Sequence, residues 1–168
     1  LSREGRLRNG SYEYAQININ SPGVDDLLTR GHGSLRRPGT FNAFYEFQRP
    51  RKGDWAHDTE VELFSGGLAG NSKLGCSLRY DATYFISDAF NVHAGFYAAH
   101  SPDWLVWQRD NLIGGFERRE LDLNAGFDWT IDDHQELRVK LQAIALDAGL
   151  RQAWRVGASG QALASNEA

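Results

Sequence analysis

The sequence predicts an all-β chain, an antiparallel up-and-down meander that forms part of a transmembrane β-barrel. Three observations predict it. Apolar and polar residues alternate over long runs, short and long connections alternate between the runs, and aromatic rings gather where the runs end. Side chains of a strand point alternately to its two faces, so strict alternation gives one apolar and one polar face. Globular strands typically run about 5–6 residues, whereas a tilted strand needs roughly 9–11 to cross a bilayer. Alternation does not say which face is inside. A soluble β-barrel or sandwich, with the apolar face turned inward, is therefore the alternative.

In chain order, alternation and turn residues place strands at about 11–19, 40–49, 55–64, 73–86, 90–99, 118–131 and 137–146. The last two form the clearest hairpin. Leu121, Leu123, Ala125, Phe127, Trp129 and Ile131 share one face of the first strand, and Leu137, Val139, Leu141, Ala143 and Ala145 share one face of the second. In the 73–86 strand, Leu74, Cys76, Leu78, Tyr80, Ala82, Tyr84 and Ile86 alternate with Lys73, Ser77, Arg79, Asp81 and Thr83. Phe90, Val92, Ala94, Phe96 and Ala98 continue the pattern in the strand that follows. His57 and Thr59 make 55–64 the weakest member. A Lys or Arg at the bilayer midplane costs roughly 2–4 kcal/mol. On the apolar faces, charge stands only near strand ends, at Glu13, Arg49 and Arg119. Val24 to Thr29 has room for one helical turn at most.

The connections Pro50–Asp54, Ser87–Ala89 and Asp132–Gln135 are short, while Ser21–Gly39, Ser65–Ser72 and His100–Glu117 are longer and Gly-rich. Outer-membrane barrels have short periplasmic turns and longer external loops, which is the same rhythm. Phe47, Trp55, Tyr84, Phe85, Phe90 and Trp129 flank the short turns, with Trp104 and Trp107 at the other end. Rings at both ends are what an interfacial girdle requires.

Composition narrows the function. At 168 residues the chain makes one domain, residues 1–168, and its net charge of −4 gives no electrostatic footprint for nucleic acid. Mean hydropathy is −0.51, and no apolar run is long enough for a transmembrane helix. The single Cys76 cannot form an intramolecular disulfide. There is no methionine, and the opening LSREGRLRNG is no signal peptide. A membrane barrel must be exported, so the expectation is a segment truncated from a longer protein.

Few residues suggest chemistry. Glu120, Asp122, Asn124 and Asp128 share the polar face of one strand, opposite Arg138, Lys140 and Gln142 on the next. They are expected to face the lumen, where opposite charges stabilise pairing and shape the path of a polar solute. In the soluble alternative, Tyr97, Trp104 and Trp107 would stack against glycans. His100-Ser101-Pro102-Asp103 holds the residue types of a hydrolytic triad but crowds them into one turn. Asp25-Asp26 and Arg36-Arg37 read as solvated loop charges, and Asp132-Asp133-His134 as a tight turn that selects Asp. Gly66-Gly67 and Gly70 precede no helix, which argues against a phosphate loop. No catalytic, metal or cofactor-binding residue is expected, and no cofactor.

SPDWLVWQRDNLIGGFERRELDLNAGFDWTIDDHQELRVKLQAIAL (Ser101 to Leu146), with DDLLTRGHG (Asp25–Gly33), FNAFYEF (Phe41–Phe47) and YFISDAFNVHAGFY (Tyr84–Tyr97), resembles a bacterial family of unknown function. Its members look like outer-membrane β-barrels carried behind an N-terminal domain similar to family-9 carbohydrate-binding modules. The resemblance implies a Gram-negative outer-membrane location, the lipid bilayer as partner, and a saccharide met through the N-terminal domain missing here. The family's last strands have no counterpart in Ala162–Ala168, so the resemblance also implies a truncated barrel. A role in a glycoside-acting enzyme is a third expectation. It would need two carboxylates flanking a cleft, and Glu120 and Asp122 are the pair that share a face.

Overall fold

A computed structural model describes residues 1–68 and 70–167, with Asn71 described by its backbone only. Among the described residues there is no helix. The strands are β1 (Ser2–Arg6), β2 (Tyr12–Asn20), β3 (Gly23–Asp25), β4 (Leu35–Arg37), β5 (Thr40–Lys52), β6 (Trp55–Leu68), β7 (Asn71–Phe85), β8 (Phe90–Arg109), β9 (Leu112–Asp132), β10 (Gln135–Val156) and β11 (Ala162–Ser165). All but β3 and β4 form a nine-stranded antiparallel sheet whose neighbours follow chain order. β3 and β4 pair with each other in a separate ribbon. Among the described residues the first and last strands of the large sheet are not hydrogen-bonded to each other, so no closure of the meander is seen there.

Every strand expected from alternation is present, but several run further. β8, β9 and β10 reach 20, 21 and 22 residues. Two of the three expected long loops are strand. Leu68 pairs with Asn71 across the β6–β7 turn, whose Ala69 lies outside the described residues. His100–Glu117 extends β8 and β9 to a tight turn at Asp110–Asn111. Asp110 takes φ 42° there, a left-handed conformation that Asp tolerates because its short side chain bonds locally. Register shifts at Ser101/Trp104 and Leu150/Gln152 break the alternation along this extension and hide it from periodicity. β1 reads SREGR and has no apolar face at all. It exists because its backbone ladders onto Tyr12–Gln16.

The register fixes the faces, because directly paired residues share a side. Leu121 pairs with Ala145, Leu123 with Ala143, Ala125 with Leu141, Phe127 with Val139 and Trp129 with Leu137. The expected apolar face is therefore continuous, and it lies open: Leu123 is 48% and Leu141 67% exposed. The alternating Asp122, Asn124 and Asp128 are half-buried. The same holds on β7, where Leu74, Leu78 and Tyr80 are exposed while Ser77 is buried and Asp81 half-buried. The sheet curls toward its polar side.

The buried apolar core is small and sits at the long-loop end. Leu35, Leu68, Ile113 and Val156 form it, flanked by Leu28, Leu105, Trp154 and Ala162. Leu35 and Ile113 are fully buried. Leu35 belongs to the Ser21–Gly39 connection, which folds back over strand ends distant in sequence. The Arg36 amide donates to the Gly160 carbonyl at 2.8 Å, which ties this connection to the β10–β11 hairpin. Gly160 is required there twice over. Its φ is +79°, and a Cβ would stand 2.6 Å from the Ser34 carbonyl oxygen.

Candidate functional site

The concave polar face is built by β1, β2 and β5 to β10. One row crosses it through Arg6, Tyr12, Gln48, Asp58, Asp81, Gly95, Asn124 and Gln142, each directly paired with the next. A neighbouring row runs Tyr14, Glu46, Glu60, Arg79, Tyr97, Asp122 and Ile144. Strand alternation puts each residue on this side, and pairing puts it beside its partner. The β1 to β7 part of the first row, Arg6, Tyr12, Gln48, Asp58 and Asp81, lines a concavity of about 640 Å³ together with Thr83, His57 and Arg49, among others.

The rows are held by polar contacts between strands. Arg79 Nε lies 3.3 Å from Glu60 Oε2. Gln142 Nε2 donates to Asp122 Oδ2 at 2.6 Å, and Asn124 Nδ2 to Asp81 Oδ1 at 3.1 Å. That last bond spans β8, and Gly95 makes it possible. A Cβ at Gly95 would stand 2.0 Å from Asp81 Oδ1, so the carboxylate occupies the space a side chain would take. Asp58 Oδ1 and Asp122 Oδ1 are covered yet have no hydrogen-bond partner in the protein. Water suits the Asp58 position, because it is polar and lines the roomy concavity.

The expected lumen set comes together in part. Asp128 lies 3.7 Å from the Arg138 guanidinium and 3.8 Å from His93 Nδ1. Asp122 bonds Gln142, whereas Asn124 reaches the other way to Asp81. Glu120 is engaged by Arg118 on its own strand. Lys140 pairs with Gly126, which offers no side chain. Asp122 belongs to the second row, and Glu120 lies one step further along β9, across from Ala99 and Leu146.

Each ring singled out for glycan stacking carries a guanidinium. Arg79 lies over Tyr97 at 5.3 Å, Arg118 over Trp104 at 5.2 Å and Arg30 over Trp107 at 4.5 Å. His32 also stacks on Trp107, whose Nε1 donates to the Asp110 carbonyl. A stacked sugar would have to displace these contacts, each worth about 0.5–1 kcal/mol at an exposed site. The aromatics at the short-turn end divide between faces. Trp55 packs on Tyr84 and Phe90 on Trp129 along the apolar side, while Phe85 shares the polar side with Thr83 and sits under Arg51.

The remaining motifs are structural. Asp25 Oδ1 accepts the Leu28 amide, and Asp132 Oδ1 the His134 amide; each carboxylate closes its own turn. His100 Nε2 meets Glu117 rather than forming a relay with Ser101 and Asp103. Beyond the strands, the Arg155 guanidinium holds the Glu167 carboxyl below the usual carboxylate range, with Arg109 adding to the effect.

One cluster escaped sequence reasoning. Glu46, Asp58 and Glu60 each bring a carboxylate oxygen within 4.8 Å of the others. Asp58 and Glu60 alternate along β6, but only the β5–β6 register adds Glu46 to them. Arg79 partly neutralises the group through Glu60. Comparison with known proteins gave no match: no family model, no curated sequence and no solved structure aligns with the chain.

Proposed function

We propose that the chain is a bilayer-embedded sheet, part of an outer-membrane β-barrel of the Gram-negative type. In this reading it anchors a carbohydrate-binding module and passes a polar solute along its charged face. One observation carries the proposal: the apolar rows of β7 and β9 are exposed on the convex side while Ser77, Asp81, Asp122 and Asn124 take the more sheltered concave side. A soluble barrel or sandwich needs the opposite arrangement, because the apolar face supplies its core. Continuous exposed apolar surface of this kind marks a membrane or protein contact. Lipid suits it here, since the exposed residues along β9 and β10 are mostly aliphatic and the ring pairs Trp55–Tyr84 and Phe90–Trp129 stand at one end. The solute path is supported by mixed charges in paired rows, and the module by the family resemblance.

Flotation tests the reading. Protein folded in the presence of phosphatidylcholine vesicles should rise with them through a density gradient and resist extraction by high salt and carbonate. A monomer that stays soluble without detergent and leaves the vesicles bare would refute it.

A further inference from the structure

The apolar side of β8, β9 and β10 stops at a charged row. Leu121 pairs with Ala98 and Ala145 across the sheet, and two residues along β9 Arg119 pairs with His100 and Asp147. Paired residues share a side, so this row lies on the convex face directly beside the apolar one. β9 begins at Leu112, so Arg119 stands within the strand, where the surface passes from apolar to charged. In the bilayer reading this is the level of the lipid headgroups.

The cluster is unevenly satisfied. Glu117 is its hub, with a side chain only 16% exposed. Arg119 meets it at 2.7 Å, His100 Nε2 at 3.3 Å, and Arg151 reaches it from the β10 bulge. Two guanidiniums thus share one carboxylate, yet they stay 68% and 60% exposed, with N–H donors to spare. Asp147 stands across from Arg119, is exposed, and has no ion pair among the described residues. One side of the cluster therefore carries a surplus positive charge, and the other an unanswered negative one. Between them lies a concavity of about 220 Å³, lined by Glu117, Arg119, Asp147, Gly149, Leu150 and Arg151. Gly149 keeps it open, with nothing within 4 Å of where a Cβ would stand.

Charge and size select the occupant. Guanidinium forks match phosphate oxygens, and Asp147 beside them calls for a cation that can donate N–H. The volume is below the roughly 300–1,000 Å³ of sites that enclose a drug-sized molecule, so a small group fits and a saccharide chain does not. A headgroup that is only anionic sets like charge against Asp147. Choline brings a cation without N–H, and none of the six lining residues is an aromatic that could hold it.

We propose that this cluster binds the phosphoethanolamine headgroup of a membrane phospholipid, with its phosphate on Arg119 and Arg151 and its ammonium on Asp147. The acyl chains run from there along the apolar rows of Leu121 and Leu123. The inference rests on the bilayer reading and names the lipid that this part of the convex face selects.

The test titrates the full chain in nonionic detergent micelles with short-chain phosphatidylethanolamine, phosphatidylcholine or phosphatidylglycerol. The readout is the backbone amide resonances of Arg119, Asp147 and Gly149. Phosphatidylethanolamine should saturate them at a concentration about five-fold below either other lipid, the upper range for one exposed charge pair. Gly95, on the polar side, should not move. Asp147→Asn should erase the preference over phosphatidylcholine, and Arg119→Gln with Arg151→Gln should weaken all three lipids. Those variants alter a shared network, whereas Gly149→Leu fills the concavity with every charge in place and should abolish the preference by itself. Free phosphoethanolamine should bind about ten-fold more weakly than the lipid, because it buries no chain. Equal response to phosphatidylethanolamine and phosphatidylcholine, or a stronger one to phosphatidylglycerol, overturns the proposal. So does a preference that survives Gly149→Leu, or free phosphoethanolamine binding as tightly as the lipid. A chain that floats on phosphatidylcholine vesicles yet shows no preference loses the headgroup site and keeps the bilayer reading; a chain that does not float loses both.

Discussion

The long-loop end and the body of the sheet are built on opposite rules. At the long-loop end Leu35, Leu68, Ile113 and Val156 are buried against one another, as in any water-soluble domain. Along the body, Leu121, Leu123, Leu137 and Leu141 are left open, and Asp81, Asp122 and Asn124 take the sheltered side. One chain thus contains an oil-drop core and an inside-out sheet. The difference is what the proposed reading rests on: in it the body is solvated by lipid and the long-loop end by water.

The comparison can be broken at either region. The largest effect is expected in the small core. Ile113→Ala should cost about 2–5 kcal/mol, because a fully buried side chain is removed where few others can fill the space. It should also release the Ser21–Gly39 connection, read as faster amide exchange at Arg36. The cost should be the same in micelles and in vesicles, because this core does not depend on lipid.

In the body the solvent should matter. Val139→Arg is expected to cost roughly 2–4 kcal/mol in a vesicle-refolding titration. Lys140→Ala, its neighbour on the other face, should stay within about 0.5 kcal/mol, as an exposed substitution does. Similar small effects at both positions would remove the distinction between the faces.

Gly95→Ala tests the polar side. The new methyl would collide with Asp81 Oδ1 and lie 2.8 Å from the Tyr80 carbonyl oxygen, so about 1–3 kcal/mol of overpacking is expected. The Asn124–Asp81 bond should break with it, visible as a shifted side-chain amide resonance of Asn124. The smallest effect belongs to the rim. Arg51→Ala removes an exposed ion pair to Asp88 and should cost about 0–1 kcal/mol in a denaturant titration, less at high salt.

Much of the body is legible in the sequence, and little of the long-loop end is. Alternation alone marks Leu121–Ile131 and Leu137–Ala145 as one face, and the β9–β10 register agrees with it. The direction of curl is not legible, because an alternating pattern is the same whichever side is concave. The polar rows follow from alternation within each strand, but which polar groups meet needs the register. Gly126 opposite Lys140 and Gly95 beneath Asp81 are examples. Around Ser101–Glu117 the bulges shift the period, and Pro102, Gly114 and Gly115 read as loop residues. β3 and β4, at 3 residues each, are too short to carry a period. Arg30 and His32 on Trp107 join segments far apart in sequence, which no local pattern shows.

The claim that the body faces lipid with its apolar side is tested most directly by single-cysteine scanning of β9. In a Cys76→Ser background, cysteines placed one at a time from Leu121 to Asp128, omitting Gly126, are exposed to a water-soluble maleimide in vesicles. Positions 121, 123, 125 and 127 should be protected, and 122, 124 and 128 should react. Uniform labelling, or reaction at the odd positions with the even ones protected, would contradict the account.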